Sequence, residues 1–226
     1  MSTPALTILK DWPRLALQRY PVFLQASSGQ FSDATGGVGT LKHSLRRFSG
    51  GARLMGAALP VSTAPGDNLA PYAALKVIKP GDVLVVASAS HTGCALLGDH
   101  IMGLLNNAKA AGMITDGLVR DLDGLRQIGL PVYAAGTSPL IPTKQGPGTV
   151  GLPITLGSVV IHPGDLVIAD DDGIVIVPPA NFAQVSDTLI ALRERDASLE
   201  QRVRSGATEP PDFEQLLERV GIRWLT

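Results

Sequence analysis

From Val83 to Ala87 the chain reads Val-Leu-Val-Val-Ala with no polar interruption. A run this short, apolar and β-branched predicts a strand buried on both faces. Lys79-Pro80-Gly81-Asp82 before it is a turn. Upstream, residues 52–61 are strand-like, and Leu69, Tyr72, Ala73 and Lys76 recur at helical spacing, predicting a helix over Asp67–Ile78. Downstream the periods alternate: a helix over residues 98–111, a strand at Met113–Thr115, a helix at Leu122–Ile128 and a strand at residues 131–135. Residues 4–20 also read as a helix, which Pro13 should break or restart. Alternation of this kind predicts an α/β protein with a partly parallel sheet carrying helices.

The last third changes character. Pro163-Gly164-Asp165 repeats the earlier Pro-Gly-Asp turn before the apolar run Leu166–Ala169, and Asp170-Asp171-Asp172-Gly173 turns the chain into Ile174–Val177. Aspartates before a glycine predict a tight hairpin rather than a cation site. Residues 181–204 read as a helix, and a Pro-broken tail with a short amphipathic helix follows from Glu209. Gly36, Gly37 and Gly39 match neither a P-loop nor a dinucleotide fingerprint, so they signal a backbone turn.

Composition narrows the partners. Hydrophobic residues make up 45% of the 226, enough for a large core, while 19 basic and 20 acidic residues leave a net charge of -1. A basic face for nucleic acid is therefore not indicated. Cys94 is the sole cysteine, which rules out an internal disulfide; it reads as a small core residue, because no activating base is evident for a nucleophile. The first residues lack a basic patch and apolar segment of the secretory kind, and no span is long enough for a membrane, so the cytoplasm is expected. His43, His91 and His162 show no metal-ligand spacing and read as structural or surface residues.

Two segments carry candidate chemistry. In Gly98-Asp99-His100-Ile101, Asp99 is a good N-cap, with Ile101, Leu104, Leu105, Ala108 and Ala111 on one helical face. The free N–H groups of residues 100–102 would then form an anion-binding helix end, which Gly98 lets a ligand approach closely. The other possibility is that Asp99 is only a cap. In Gly112-Met113-Ile114-Thr115-Asp116-Gly117-Leu118-Val119-Arg120-Asp121, a strand runs into a loop bearing adjacent Arg and Asp. Arg120 could clamp a carboxylate through two parallel hydrogen bonds, and Asp121 could hold a hard divalent cation. Alternatively Asp121 caps the next helix and Arg120 pairs with a surface acid.

Taken together, these segments resemble the family of 4-hydroxy-4-methyl-2-oxoglutarate aldolases, which also contains the regulator of ribonuclease activity A. The resemblance extends over Pro65-Gly66-Asp67-Asn68, Pro80-Gly81-Asp82, Pro131-Val132, Gly136-Thr137-Ser138-Pro139, and Pro163-Gly164-Asp165 through Asp171-Asp172-Gly173, roughly residues 30–180. It implies the family's layered RraA-like α/β fold: a β-rich core with a mixed sheet, flanked by helices. Residues 1–180 would form the catalytic domain, and 181–226 a helical extension packing on it or on a neighbouring subunit. It further implies a class II aldolase dependent on Mg²⁺ or Mn²⁺, with oxaloacetate decarboxylase activity, forming homotrimers or hexamers with active sites between subunits. Substrate contacts map onto Gly98, Asp99, His100, Ile101 and Arg120, and the metal ligand onto Asp121. The regulator branch lacks acids matching Asp99 and Asp121; this chain keeps both, which favours the enzyme over a non-catalytic regulatory protein.

Two further points stay open in the sequence. A Schiff-base aldolase would need a lysine in a dry pocket; Lys76 and Lys109 fall on expected helices, Lys79 in a turn and Lys144 in a polar loop, and none stands out. Phe182, Val185, Leu189, Leu192, Leu199 and Val203 make an apolar stripe in which Asp196 fills the missing step. Asp196 is either solvated or, as a shorter counterpart of a Glu that the family places in this region, it or nearby Glu200 is delivered to a neighbouring subunit's site.

Overall fold

The computed structural model describes residues 4–14, 17–41 and 45–225. Strand β1 (Leu6–Ile8) leads through two 3-10 turns, Leu17–Arg19 and Pro21–Leu24, to helix α1 (Ser28–Ala34). The helix expected over residues 4–20 does not form: Leu-Thr-Ile suits a strand, and prolines 4, 13 and 21 deny the segment a helical interior. Helix α1 opens on a capping box, in which Ser27 Oγ accepts from the Gln30 amide and Gln30 Oε1 from the Ser27 amide. Strands β2 (Arg46–Ser49) and β3 (Leu54–Thr63), helix α2 (Leu69–Ala74) and strand β4 (Asp82–Ala87) follow. Helix α2 is shorter than the periodicity predicted, its last residues tightening into turns in which the Leu75 and Lys76 amides donate to the carbonyls of Tyr72 and Ala73.

Next come β5 (Ala95–Leu97), α3 (Asp99–Asn107), β6 (Gly112–Thr115), β7 (Leu118–Val119), α4 (Leu122–Ile128), β8 (Val132–Ala134) and β9 (Gly136–Thr137). The last group is β10 (Gly148–Val150), β11 (Ile154–Leu156), β12 (Val159–Ile161), β13 (Leu166–Ala169), β14 (Ile174–Val177), α5 (Phe182–Arg204) and α6 (Phe213–Val220).

The main sheet has nine strands in the order β1-β10-β3-β4-β6-β8-β2, with the hairpin β13-β14 branching from β3. Strands β3, β4, β6 and β8 are parallel neighbours, whereas β2, β10 and β13 pair antiparallel, so the sheet is mixed as expected. A separate three-stranded parallel sheet is formed by β5-β7-β9.

Every residue of β4 is buried. Leu84 and Val86 pack into the apolar cluster that contains Ile101, Met102 and Leu105 of α3, while Val83, Val85 and Ala87 pack into a second cluster with Val167 and Ala169 of β13. Both faces are covered, which is why the run carries no polar alternation. On α3, Met102 is buried while Leu104, expected on the apolar face, is 45% exposed. A third cluster gathers Phe23, Phe31, Phe182, Val185 and Leu189, fixing the first half of α5 on the body; further along, Leu199 and Val203 are exposed.

The aspartate hairpin is a protein-internal device. Asp170 accepts from the amide and hydroxyl of Ser28, and Asp171 pairs with Arg47. Burial alone would raise the Asp170 pKa, but these donors and the turn amides outweigh it and hold the carboxyl below its ordinary value. No described helix is long and apolar enough to cross a membrane. His91 is half-buried and His162 mostly exposed, whereas His43 lies outside the described residues. Cys94 is half-buried, and burial pushes its thiol up, consistent with an inert packing residue.

Candidate active site

The two candidate segments meet because of strand register. In the small parallel sheet Leu97 of β5 pairs with Val119 of β7, so Gly98 and Arg120 leave the sheet side by side. The Arg120 amide donates to Leu97 O at 3.1 Å. Gly98 is extended (φ -136°, ψ -166°), a conformation open to any residue; glycine is needed here for space. A Cβ at 98 would lie under 3.0 Å from Asp121 Oδ2 and 3.1 Å from Arg120 Cγ.

Gly98, not Asp99, is the N-cap of α3, and no side chain caps this end. The free amides are therefore those of Asp99, His100 and Ile101, because the Met102 amide already reaches Gly98 O at 3.3 Å. The Asp99 carboxylate instead leans over α4: a Cβ on Gly124 would come within 2.5 Å of its Oδ2. Asp121 precedes α4 in the left-handed conformation (φ 59°, ψ 47°), and its side chain caps nothing. Among the described residues that carboxylate accepts only from Arg120 Nε, at 3.2 Å, which leaves both terminal guanidinium nitrogens of Arg120 available. The Asp121 carboxylate thus stands at the end of β7 with no capping role of its own.

Gly98, Asp99, His100, Ile101, Arg120 and Asp121 all line one cavity of about 180 Å³. The three charged groups are about one-third exposed: Arg120 33%, Asp121 38% and Asp99 34%. The His100 ring is 91% exposed with Nε2 4.0 Å from Asp99 Oδ1, and Ile101 is buried, so at Ile101 it is the backbone amide that can reach a ligand. A larger cavity, about 550 Å³, sits between the end of α1 and β12, but its walls hold no ionisable side chain. Size without ionisable side chains does not make a catalytic site, whereas the smaller cavity is lined by Asp99, His100, Arg120, Asp121 and Lys144.

Asp196 is not a wall of this cavity within one chain. Its Oδ2 accepts from Gln30 Nε2 at 2.9 Å, and it borders a separate hollow with Glu200 near the end of α5. Asn68 and Tyr72, to which the sequence assigned no role at the site, and Lys144, weighed only as a Schiff-base lysine, also line the cavity. Asn68 Nδ2 donates to Leu96 O at 2.9 Å, while its buried Oδ1 has no partner among the described residues. The available signal was the segment Pro65-Gly66-Asp67-Asn68, noted for resemblance but not placed at the site.

No cluster of three or more His, Cys, Asp or Glu capable of gripping a metal occurs among the described residues. The cavity does fit a hard ion held by one or two carboxylates, water and substrate, the habit of Mg²⁺. Asp121 Oδ2 fills the space that a side chain at 98 would occupy, with Asp99 on the adjoining helix.

A profile of the RraA-like family, described as Aldolase/RraA, matches residues 28–176. The chain belongs to this family. A Halalkalibacterium halodurans protein provisionally named 4-hydroxy-4-methyl-2-oxoglutarate aldolase is 32% identical over 189 residues, covering 84% of this chain and 89% of its own. Among solved structures, Streptomyces coelicolor RraAS2, described as an unusual member of the RNase ES inhibitor RraA family, superposes with a TM-score of 0.73 at 27% identity over 83% of this chain and 98% of that one. The RNA-processing inhibitor RraA from Thermus thermophilis gives 0.64 at 28% identity over 68% and 93%. The layered α/β fold is therefore that of the RraA-like proteins.

Proposed function

We propose that this RraA-like chain is a divalent-metal-dependent aldolase of 4-hydroxy-2-oxo acids, of the 4-hydroxy-4-methyl-2-oxoglutarate or 4-carboxy-4-hydroxy-2-oxoadipate type, releasing pyruvate and a second oxo compound. The observation that carries the proposal is the register pair Leu97–Val119, which sets free helix amides, a guanidinium fork and two carboxylates around one cavity. The relatives' names support the same reading.

Asp121 would hold Mg²⁺ or Mn²⁺, and the ion would supply Lewis acidity toward the 2-oxo group. The amides of residues 99–101 and the terminal nitrogens of Arg120 hold the substrate carboxylate. Asp99, directly or through a water it orients, takes the proton from the 4-hydroxyl. The C3–C4 bond then breaks, its electron pair passing into the pyruvate enolate while C4 becomes a carbonyl. Arg120 faces the negative charge that develops, and returning the proton to C3 completes pyruvate. Oxaloacetate would lose CO₂ through the same enolate. In this proposal the subunits form trimers or hexamers, and Asp196 serves a neighbouring subunit's cavity.

A Mg²⁺-dependent pyruvate-release assay on several 4-hydroxy-2-oxo acids tests the proposal. Release that EDTA abolishes and Mg²⁺ restores is expected. Release that survives EDTA, together with borohydride trapping of pyruvate on a lysine, would replace the metal with a Schiff base. No release from any of these acids would leave the regulatory alternative.

A further inference from the structure

Glycine at 124 has no backbone reason to be there. It sits in the first turn of α4 with a φ outside the left-handed region, where alanine would favour the helix. Space accounts for it instead. A Cβ at 124 would lie 2.5 Å from Asp99 Oδ2, 2.7 Å from Asp99 Cβ and 3.0 Å from Asp99 Cγ, so the Asp99 side chain lies flat over the bare α-carbon. Hydrogen bonding does not set the direction of that side chain. Among the described residues its one charged contact is Nε2 of exposed His100, at 4.0 Å, which is beyond hydrogen-bond reach.

The neighbouring glycine behaves differently. Gly103 lies one turn further along α3, and there a Cβ would stand 4.0 Å from Ile128 Cδ1, an ordinary van der Waals distance. The two helices thus have room for a methyl at 103 and none at 124. Because Cβ of Asp99 is fixed by the backbone, no rotation of the side chain relieves a methyl at 124; the start of α3 itself must shift.

We propose that Gly124 is a positioning residue, whose missing side chain seats Asp99 at the cavity wall where it takes the 4-hydroxyl proton. What Asp99 does there rests on the aldolase reading; where it stands is tested without turnover. Thermal melts of wild type, Gly124→Ala, Asp99→Gly and the double variant test the seat. With Asp99 present, alanine at 124 should lower Tm by about 2–6 °C through overpacking. With Asp99→Gly, which removes the Cβ as well, the same alanine should raise Tm by about 2–4 °C, its ordinary effect in a helix. A Gly124→Ala protein that fails to fold and is recovered by Asp99→Gly shows the same reversal. Gly103→Ala should raise Tm by a similar amount and leave kcat unchanged.

Turnover tests the role. At saturating Mg²⁺ and 4-hydroxy-2-oxoglutarate, Gly124→Ala should lower kcat on the order of 10²-fold, the cost of a displacement of about 1 Å. Added to Asp99→Gly, it should change kcat by less than about twofold, because it acts through Asp99. A general loosening of the fold would lower kcat equally in both backgrounds, and that result overturns the proposal. So does a Tm change of one sign in both backgrounds, or wild-type kcat in Gly124→Ala or in Asp99→Gly. If wild type releases pyruvate from no 4-hydroxy-2-oxo acid, the aldolase reading falls while the Tm reversal still decides the seat.

Discussion

Replacing Gly98 by alanine isolates the contact on which the site depends. The backbone at 98 is extended, so alanine brings no conformational penalty; the new methyl has nowhere to go. It would fall inside the closest distance that Cβ atoms tolerate to Asp121 Oδ2, and at 3.1 and 3.3 Å from Arg120 Cγ and Nε. Ordinary contact requires the carboxylate to retreat by about 1 Å, and misplacement on that scale costs on the order of 10²-fold in rate. Stability should barely change. Asp121 is 38% exposed and can swing toward solvent, and alanine at an N-cap costs about 1 kcal/mol at most, or roughly 2–4 °C in Tm. Pyruvate release titrated with Mg²⁺, paired with thermal melts, reads both quantities. A Gly98→Ala protein with wild-type kcat/KM and Mg²⁺ dependence would show that Asp121 and the helix end do not share a ligand.

Other perturbations probe neighbouring parts of the same argument. Asn adopts the left-handed conformation as readily as Asp, so Asp121→Asn should leave Tm nearly unchanged while lowering Mg²⁺-dependent turnover by at least about 10²-fold; equal turnover would remove Asp121 as the metal ligand. Arg120→Lys keeps the charge and loses the fork, and kcat/KM should fall by at least about tenfold; an unchanged value contradicts the carboxylate clamp. Asp196→Ala should lower kcat at constant fold if Asp196 serves a neighbouring subunit, and unchanged kcat with unchanged assembly by light scattering removes that role. Asp67→Ala removes the anchor of the 143–145 loop and should cost about 2–4 kcal/mol in denaturant unfolding. Burial raises the Asp67 pKa, but the donors around it outweigh burial and leave it below the ordinary value. Its contribution is therefore full above the unfolded value of about 3.9 and lost as pH falls through the lower folded value. The wild type should lose stability faster than Asp67→Ala as pH falls below about 4.

Where local pattern and tertiary demand agree, the sequence locates the elements closely. Strands β13 and β14 and helix α4 begin and end where the apolar runs and the turn residues place them. Residues 4–20 fail because their partner is remote in sequence: β1 exists as a strand only by pairing with β10, some 140 residues later. The period within such a segment cannot report a neighbour it has not met. Helix α5 shows the converse. Its stripe continues past Leu192, yet Leu199 and Val203 are exposed, so the period reports a helical face and not that the chain covers it.

The site is readable in part for the same reason. Gly98 and Arg120 were each visible as loop residues beside a strand end, but their meeting depends on Leu97 pairing with Val119, which is a property of register rather than of either segment. Asp99 looked like a cap because Asp is a good cap; with Gly98 in that position its carboxylate is freed toward Gly124 and the cavity. Lys144 was weighed only as a Schiff-base lysine in a polar loop, because nothing local places it at the cavity: its loop is held by Asp67, 77 residues earlier, beside the motif that contains Asn68. Asp67 accepts from the Leu69 amide as well, so one buried carboxylate ties the start of α2 to a distant loop at the cavity wall, a link that no local pattern in the sequence reports.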